Sequence, residues 1–367
     1  MKSLYYYNPI SFIHSIYRKD VTAWGSIYKL INEAVGMNDR SGLLKLPIHL
    51  KMYKQCLMPE YKIFTESYND CVQKKVTELY NLSEKLQKPI GILYSGGIDS
   101  TGVIVGFLSR YHINDLKDKI KIIMNSHSIY ENPEFFKNFL LPNFELINSH
   151  QLPVLFDGSM ILVTGEFNDQ IFGSDIINRY LIKRGTQEIK DKFNKDTVFE
   201  FINSYIQHDN ISKLLIDKIS QSALLKNINL EKNSDFFWWY NFCYKWQTVN
   251  FRIYTLASPK LIPNITKEWA QEHIHHFYQT DDFQLWSMNH PEVRIIDNWK
   301  QYKQESKKVI YDFDKNEDYF IHKYKRPSLQ HIFYHRLISY AITDELKILT
   351  DFKPFDYYNP DNDFVDL

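Results

Sequence analysis

Residues 90–110 read IGILYSGGIDSTGVIVGFLSR, and the three parts of that stretch decide the fold. The run 90–94 is short, apolar and continuous, as expected of a strand buried on both faces of a parallel sheet. Ser95-Gly96-Gly97-Ile98-Asp99-Ser100 then makes a sharp turn, and 101–110 continue as an apolar helix. Glycines let the backbone approach a ligand closely, and the first amides of the following helix point at an anion. Ser95 and Ser100 add hydroxyl donors. Asp99 is an acid inside an anion site, which makes chemical sense if it holds a divalent cation bridging phosphates. The loop is therefore expected to take a polyphosphate with Mg²⁺.

Upstream, Cys71, Val72, Val76, Leu79, Tyr80, Leu82 and Leu86 recur at helical spacing over 67–87, and Pro89 ends that helix. Downstream, 120–124, 144–147 and 160–164 read as further strands, with a helix over 133–141. Alternating strands and helices predict an α/β fold with an open, mostly parallel sheet and right-handed crossovers. Beyond Asp175 the pattern is helical, with long stretches expected at 197–226, 234–256, 266–278 and 328–348. The expected organisation is an N-terminal segment, 1–62, of unassigned fold with a turn within 36–42. A domain over 63–345 follows, with an α/β core at 63–180 and a helical part at 181–345, and then a tail at 346–367.

Composition removes several function classes. The chain has 367 residues with 44 Lys+Arg and 44 Asp+Glu, hence no net charge. A protein that tracks a phosphate backbone usually carries a basic excess, so nucleic acid is a disfavoured partner. Aromatics reach 16%, which a large core accounts for, since stacking platforms need interleaved basic residues. Cys56, Cys71 and Cys243 form no CxxC pair, which argues against a structural zinc site or a disulfide framework. The N-terminus lacks a leader-like apolar run and no stretch approaches a membrane span, so a soluble, cytoplasmic protein is expected.

The turn is not a Walker loop, because no lysine follows the second glycine, and it lacks the GxGxxG of dinucleotide folds. It resembles the pyrophosphate-binding loop, SGGxDS, of the ATP pyrophosphatase (PP-loop) superfamily, whose members split ATP between the α and β phosphates. That resemblance implies an adenine-nucleotide alpha hydrolase-like, Rossmann-like sheet. At the end of the 160–164 strand stands Thr164-Gly165-Glu166-Phe167-Asn168-Asp169-Gln170-Ile171-Phe172-Gly173. It is similar to the SGEGxDExFGG signature of asparagine synthetases, with Gly165, Glu166, Asp169, Phe172 and Gly173 in register. Loops after two parallel strands open at one carboxyl edge. The resemblance thus implies that Ser95, Gly96, Gly97, Asp99, Ser100 and Gly165 hold ATP. Asp99 and Asp169 would share Mg²⁺, and Glu166 would lie beside the nucleotide or the amine site.

Fainter similarities extend it over roughly 63–330. Residues 276–281, HFYQTD, resemble the family's PFxD segment; Lys307-Lys308-Val309-Ile310 resembles its GK..LR helix; and Lys323-Tyr324-Lys325 resembles its late R-x-K motif. The matching implies that Lys325 stabilises the adenylation transition state, with Lys308 as a further catalytic candidate. The departures bear on substrate. Position 2 is Lys, where the family's glutaminase has a nucleophilic cysteine, and the segment before the synthetase region is too short for that domain. Gln170 replaces a glutamate, and Phe167-Asn168 is bulkier than the usual pair.

The expectation is an ATP-dependent, amide-forming synthetase acting on a small-molecule or peptide carboxylate, with ammonia or an amine as donor. A separate glutaminase subunit is one source of that ammonia, and a homo-oligomer is compatible with the sequence. Two rivals stand beside it: a nucleobase- or tRNA-modifying PP-loop enzyme, and a non-catalytic ATP-binding scaffold. The histidines at 273, 275, 276, 331 and 335 read as helix-surface residues, because Ile332 excludes HExxH. Phe236-Phe237-Trp238-Trp239-Tyr240 reads as helix core, and Lys183-Arg184 and 323–326 are too short to form a basic stripe.

Overall fold

The apolar run after Pro89 forms a strand with every residue buried, and the residues around it build outward from that strand. The computed structural model describes residues 3–7, 39–43, 51–52, 56–326, 341–343 and 345–350. The strands are β1 (Ser3–Tyr7), β2 (Lys51–Met52), β3 (Ile90–Leu93), β4 (Ile120–Met124), β5 (Glu145–Asn148), β6 (Ile161–Thr164), β7 (Ile274–His276), β8 (Ala341–Thr343) and β9 (Ile348–Leu349). The helices used below are α1 (Tyr68–Leu86), α2 (Ile98–Arg110), α3 (Asn168–Phe172), α4 (Ser174–Arg184), α5 (Lys195–Ile206), α6 (Asp209–Leu225), α7 (Asn233–Tyr244), α8 (Lys267–His273), α9 (Asp281–Asn289), α10 (Gln304–Asp314) and α11 (Glu317–His322).

Two compact units result. One comprises Ile63–Asn168 and Leu256–Arg336, the other Met1–Lys62, Asp169–Thr255 and Leu337–Leu367. The first is an α/β, Rossmann-like unit whose five strands are all parallel, in the order β5-β4-β3-β6-β7. Its register runs Ile90↔Ile120 on one side of β3 and Ile90↔Ile161 on the other. Helix α1 starts with a capping box, Ser67 Oγ accepting from the Asp70 amide while the Asp70 carboxylate accepts from the Ser67 amide. Such reciprocal caps satisfy two orphan donors. It ends at Gln87 in the left-handed region, ahead of Pro89. Helices α1 and α10 both pack on α2.

Two helix expectations are corrected here. The stretch 266–278 is α8 followed by β7, because Ile274, His275 and His276 pair with Leu162, Val163 and Thr164 of β6. A ladder to a distant strand overrode the local period. His273 and His276 are consequently buried rather than on a helix surface. At the other end, the helix expected over 328–348 gives way to β8 and β9 from Ala341 onward, with β8 pairing antiparallel to β1. Residues 327–340, including His331 and His335, lie outside the described residues. The α/β unit also differs from the expected 63–180 core: the chain leaves it at Asn168 and returns at Leu256 to add β7.

The second unit holds the sheet β2-β1-β8-β9 and helices α4 to α7. The stretch expected as one helix over 197–226 breaks at Gln207, which is left-handed, and restarts at α6 with His208 as its cap. All residues of α7 are buried, so the aromatic run 236–240 is core, as its composition suggested. A helix apolar on every side needs neighbours on every side. Tyr180 and Phe201 pack on Phe237, and Phe193 stacks on Phe236. Among the described residues no helix is long and apolar enough to cross a membrane.

Candidate functional site

In the α/β unit the strand order reverses between β3 and β6, and the loops that follow these two strands meet at the carboxyl edge of the sheet. Open α/β sheets bind ligands at such a switch point. The β3 loop is Tyr94 to Gly97, and Gly97 is the N-terminal cap of α2. Gly96 has φ +75°, and a Cβ there would stand 2.2 Å from the Ser128 carbonyl oxygen, so any side chain would displace the next crossover. The Ser95 amide donates to Ser100 Oγ at 3.1 Å, the two hydroxyls lie 3.2 Å apart, and the Gly97 amide donates to Ser95 Oγ at 3.3 Å. The serines expected to face phosphate thus brace the loop from within. The first-turn amides of α2 have no acceptor inside their own helix, which leaves them pointing out of its N-terminus.

Gly165, after β6, joins the second loop to the first. A Cβ on it would lie 3.0 Å from both Asp99 C and Ser100 N, backbone atoms that cannot swing away. The following residues fold inward: Glu166 is buried, and its amide donates to Thr164 Oγ1 at 3.3 Å. Thr164 Oγ1 is in turn hydrogen-bonded to His276 Nδ1 at 2.7 Å, tying β6 to β7.

Asp99 is the hub. Lys303 Nζ lies 2.6 Å from each of its carboxylate oxygens, and Asn168 Nδ2 donates to Oδ1 at 2.7 Å. Its backbone carbonyl accepts from Tyr278 OH at 3.0 Å. Asn168 is held by a closed set of bonds: Tyr68 OH donates to its Oδ1 at 2.7 Å, and its Nδ2 donates to Ser306 Oγ at 2.9 Å. Ser306 Oγ then lies 2.7 Å from Tyr68 OH. Burial pushes the phenols of Tyr68 and Tyr278 well above their usual range, so both remain neutral donors. Lys303 is fully buried and caps α10 from the left-handed region, φ +61°.

The other site lysines separate. Lys308 is exposed; its neighbour Lys307 turns inward and donates to the carbonyls of Lys300, Phe320 and Lys323. Loss of solvent lowers the Lys307 ammonium to about 8. Lys325, just beyond α11, is half-buried, and its carbonyl accepts from Trp299 Nε1. Lys323 reaches the crossover after β4: it pairs with the Glu131 carboxylate and donates to the Glu131 carbonyl at 2.8 Å. Glu131 lies against the loop after β3, since a Cβ on Gly96 would come 2.7 Å from its own Cβ.

Asp169 follows Asn168 in the first turn of α3 and belongs to the second unit. Among the described residues no three His, Cys, Asp or Glu side chains form a metal cluster. Gln170 is buried, and its Oε1 has no hydrogen-bond partner among the described residues. Sequence reading brought Ser95, Gly96, Gly97, Asp99, Ser100 and Gly165 to one place and missed Lys303, Tyr68, Tyr278 and Ser306. Tyr278 falls within 276–281 and Asn168 within the loop after β6, both stretches that the sequence singles out. No protein-family model matches the chain, and no curated protein matches it.

Proposed function

We propose that this chain is an ATP-dependent amide-forming synthetase resembling the synthetase half of asparagine synthetases. It would adenylate a carboxylate with release of pyrophosphate and then pass the acyl group to ammonia or an amine with release of AMP. One observation carries the reading: the SGGIDS loop and the loop of Gly165 pack against each other at the switch point, around an acid in the first turn of a helix. Glycine at 96 and 165 lets the loop, the crossover after β4 and the second loop close on one another, since a Cβ at either position would collide with backbone atoms. The amides of α2 bind anionic oxygens, and the serine braces keep them aimed. Lys303, and Lys325 as matched by the late motif, are the cations available to neutralise charge developing on the phosphates.

The donor set also suits a divalent ion, which keeps most of its ligands from water and phosphate and needs one or two carboxylates. Asp99 would hold it, and its chemistry would be to bridge and neutralise the phosphates. Buried Glu166 would orient the acceptor or its amine.

The test is pyrophosphate release from ATP with Mg²⁺ across a panel of amino acids, peptides and other carboxylates, with and without ammonia, and products read by mass spectrometry. AMP, pyrophosphate and an amide are expected. ADP and orthophosphate, or turnover with tRNA alone, would replace this reading with another.

A further inference from the structure

Asp99 has two claimants. As the expected carboxylate for a nucleotide-borne divalent ion it must present an oxygen to that ion, yet both its oxygens already lie 2.6 Å from Lys303 Nζ. An ammonium and a divalent cation on one carboxylate repel each other within a few ångströms, where screening is weak. The lysine is also committed to the spot. Its side chain is fully buried, and a buried ammonium requires a counter-charge. Its backbone stands at φ +61°, a conformation that lysine seldom adopts and that recurs at functional sites.

We infer that Lys303 is a displaceable stand-in for the metal: it holds Asp99 in the nucleotide-free protein and moves to the phosphates when the nucleotide brings its own cation. This deepens the proposed function and rests on it. The exchange is a swing of one long side chain at the cap of α10, while Asn168 keeps its bond to Asp99 Oδ1. A polyphosphate supplies several negative charges beside the helix start, so the ammonium loses one counter-charge and gains another. The consequence is an order of binding. Metal alone is excluded, and metal with nucleotide is admitted together.

The experiment measures nucleotide-free Mn²⁺ binding by electron paramagnetic resonance, which reads free metal and does not depend on turnover. Wild type should bind Mn²⁺ weakly; Lys303→Met, which keeps the bulk and removes the charge, should bind it at least about tenfold more tightly. Asp99→Asn combined with Lys303→Met should lose that gain, and Lys303→Arg should keep the exclusion. No gain in a folded Lys303→Met would overturn the inference. A second measurement covers the case in which the variants do not fold. In wild type, the Lys303 side-chain ¹⁵Nζ resonance should stay in place with Mg²⁺ alone and shift with Mg²⁺ plus α,β-methylene-ATP. A shift with Mg²⁺ alone, or none with both, would overturn the inference in the same way. Failure of wild type to bind α,β-methylene-ATP at all would instead strike the proposed function, whatever the Mn²⁺ result.

Discussion

Two lysines four positions apart illustrate how much a side chain's partners decide its chemistry. Lys303 meets a carboxylate, whereas Lys307 meets backbone carbonyls and the face of the Phe320 ring, which offer partial charge in place of a full one. Burial accordingly brings Lys307 down to about 8 from its usual 10.5. Between those values the unfolded chain holds the proton and the folded chain has released it. The unfolded state therefore binds more protons there, and stability rises with pH through this residue. Below pH 8 both states are protonated and the contribution is flat. Urea midpoints of wild type should climb relative to those of Lys307→Met between pH 8 and pH 10. An unchanging difference between the two proteins would remove Lys307 as the source. The motif resemblance drew attention to 307–308 because they match a pattern. It gave no warning of Lys303, whose importance comes from a cap conformation and from an aspartate more than two hundred residues earlier.

At the level of elements, the strand, turn and helix of 90–110 were legible because each part obeys a local rule: an apolar run, a glycine pair and a helical period. The contact between that turn and Gly165 was legible only as a shared sheet edge. The structure supplies the reason for the glycine, a 3.0 Å approach to two backbone atoms. Gly165→Ala should therefore push the two loops apart, at a cost of about 1–3 kcal/mol typical of overpacking. It should also weaken binding of α,β-methylene-ATP far more than that loss of stability explains. Gly96→Ala should be worse, since it adds a disfavoured φ to a clash with a carbonyl oxygen. Calorimetric titration alongside thermal melts separates the two effects; nucleotide affinity unchanged in Gly165→Ala would detach this contact from the site. Strands β7 and β8 were misread as helix for the opposite reason. Their identity is set by partners at Leu162–Thr164 and Leu4–Tyr7, far away in sequence, while their local period is ambiguous.

Across the whole molecule, the chain leaves the α/β unit after Asn168, builds a helical unit around α7, and returns with β7 and the helix that carries Lys303 and Ser306. This interrupted path explains why a site read from two nearby motifs turns out to need residues from the far end of the sequence. For the proposed amide synthesis, the cysteines bear on where nitrogen would come from. Glutamine-dependent enzymes of the resembled kind need a reactive cysteine, and this chain has three. All three are buried. Burial pushes the Cys56 and Cys71 thiols up to about 12 and holds Cys243 well above its ordinary range. The thiolate is the nucleophile, so none of them is one near neutral pH. Glutamine is then expected to yield no glutamate with the purified chain and to leave amide formation unstimulated. Ammonia at mildly alkaline pH, or an amine carried by the substrate, should support it. Iodoacetamide at pH 8 should leave the folded protein unlabelled and label it fully in urea. Rapid alkylation of a single cysteine in the folded state, with glutamate release lost in step, would show that a thiol here is activated and would make glutamine the nitrogen source.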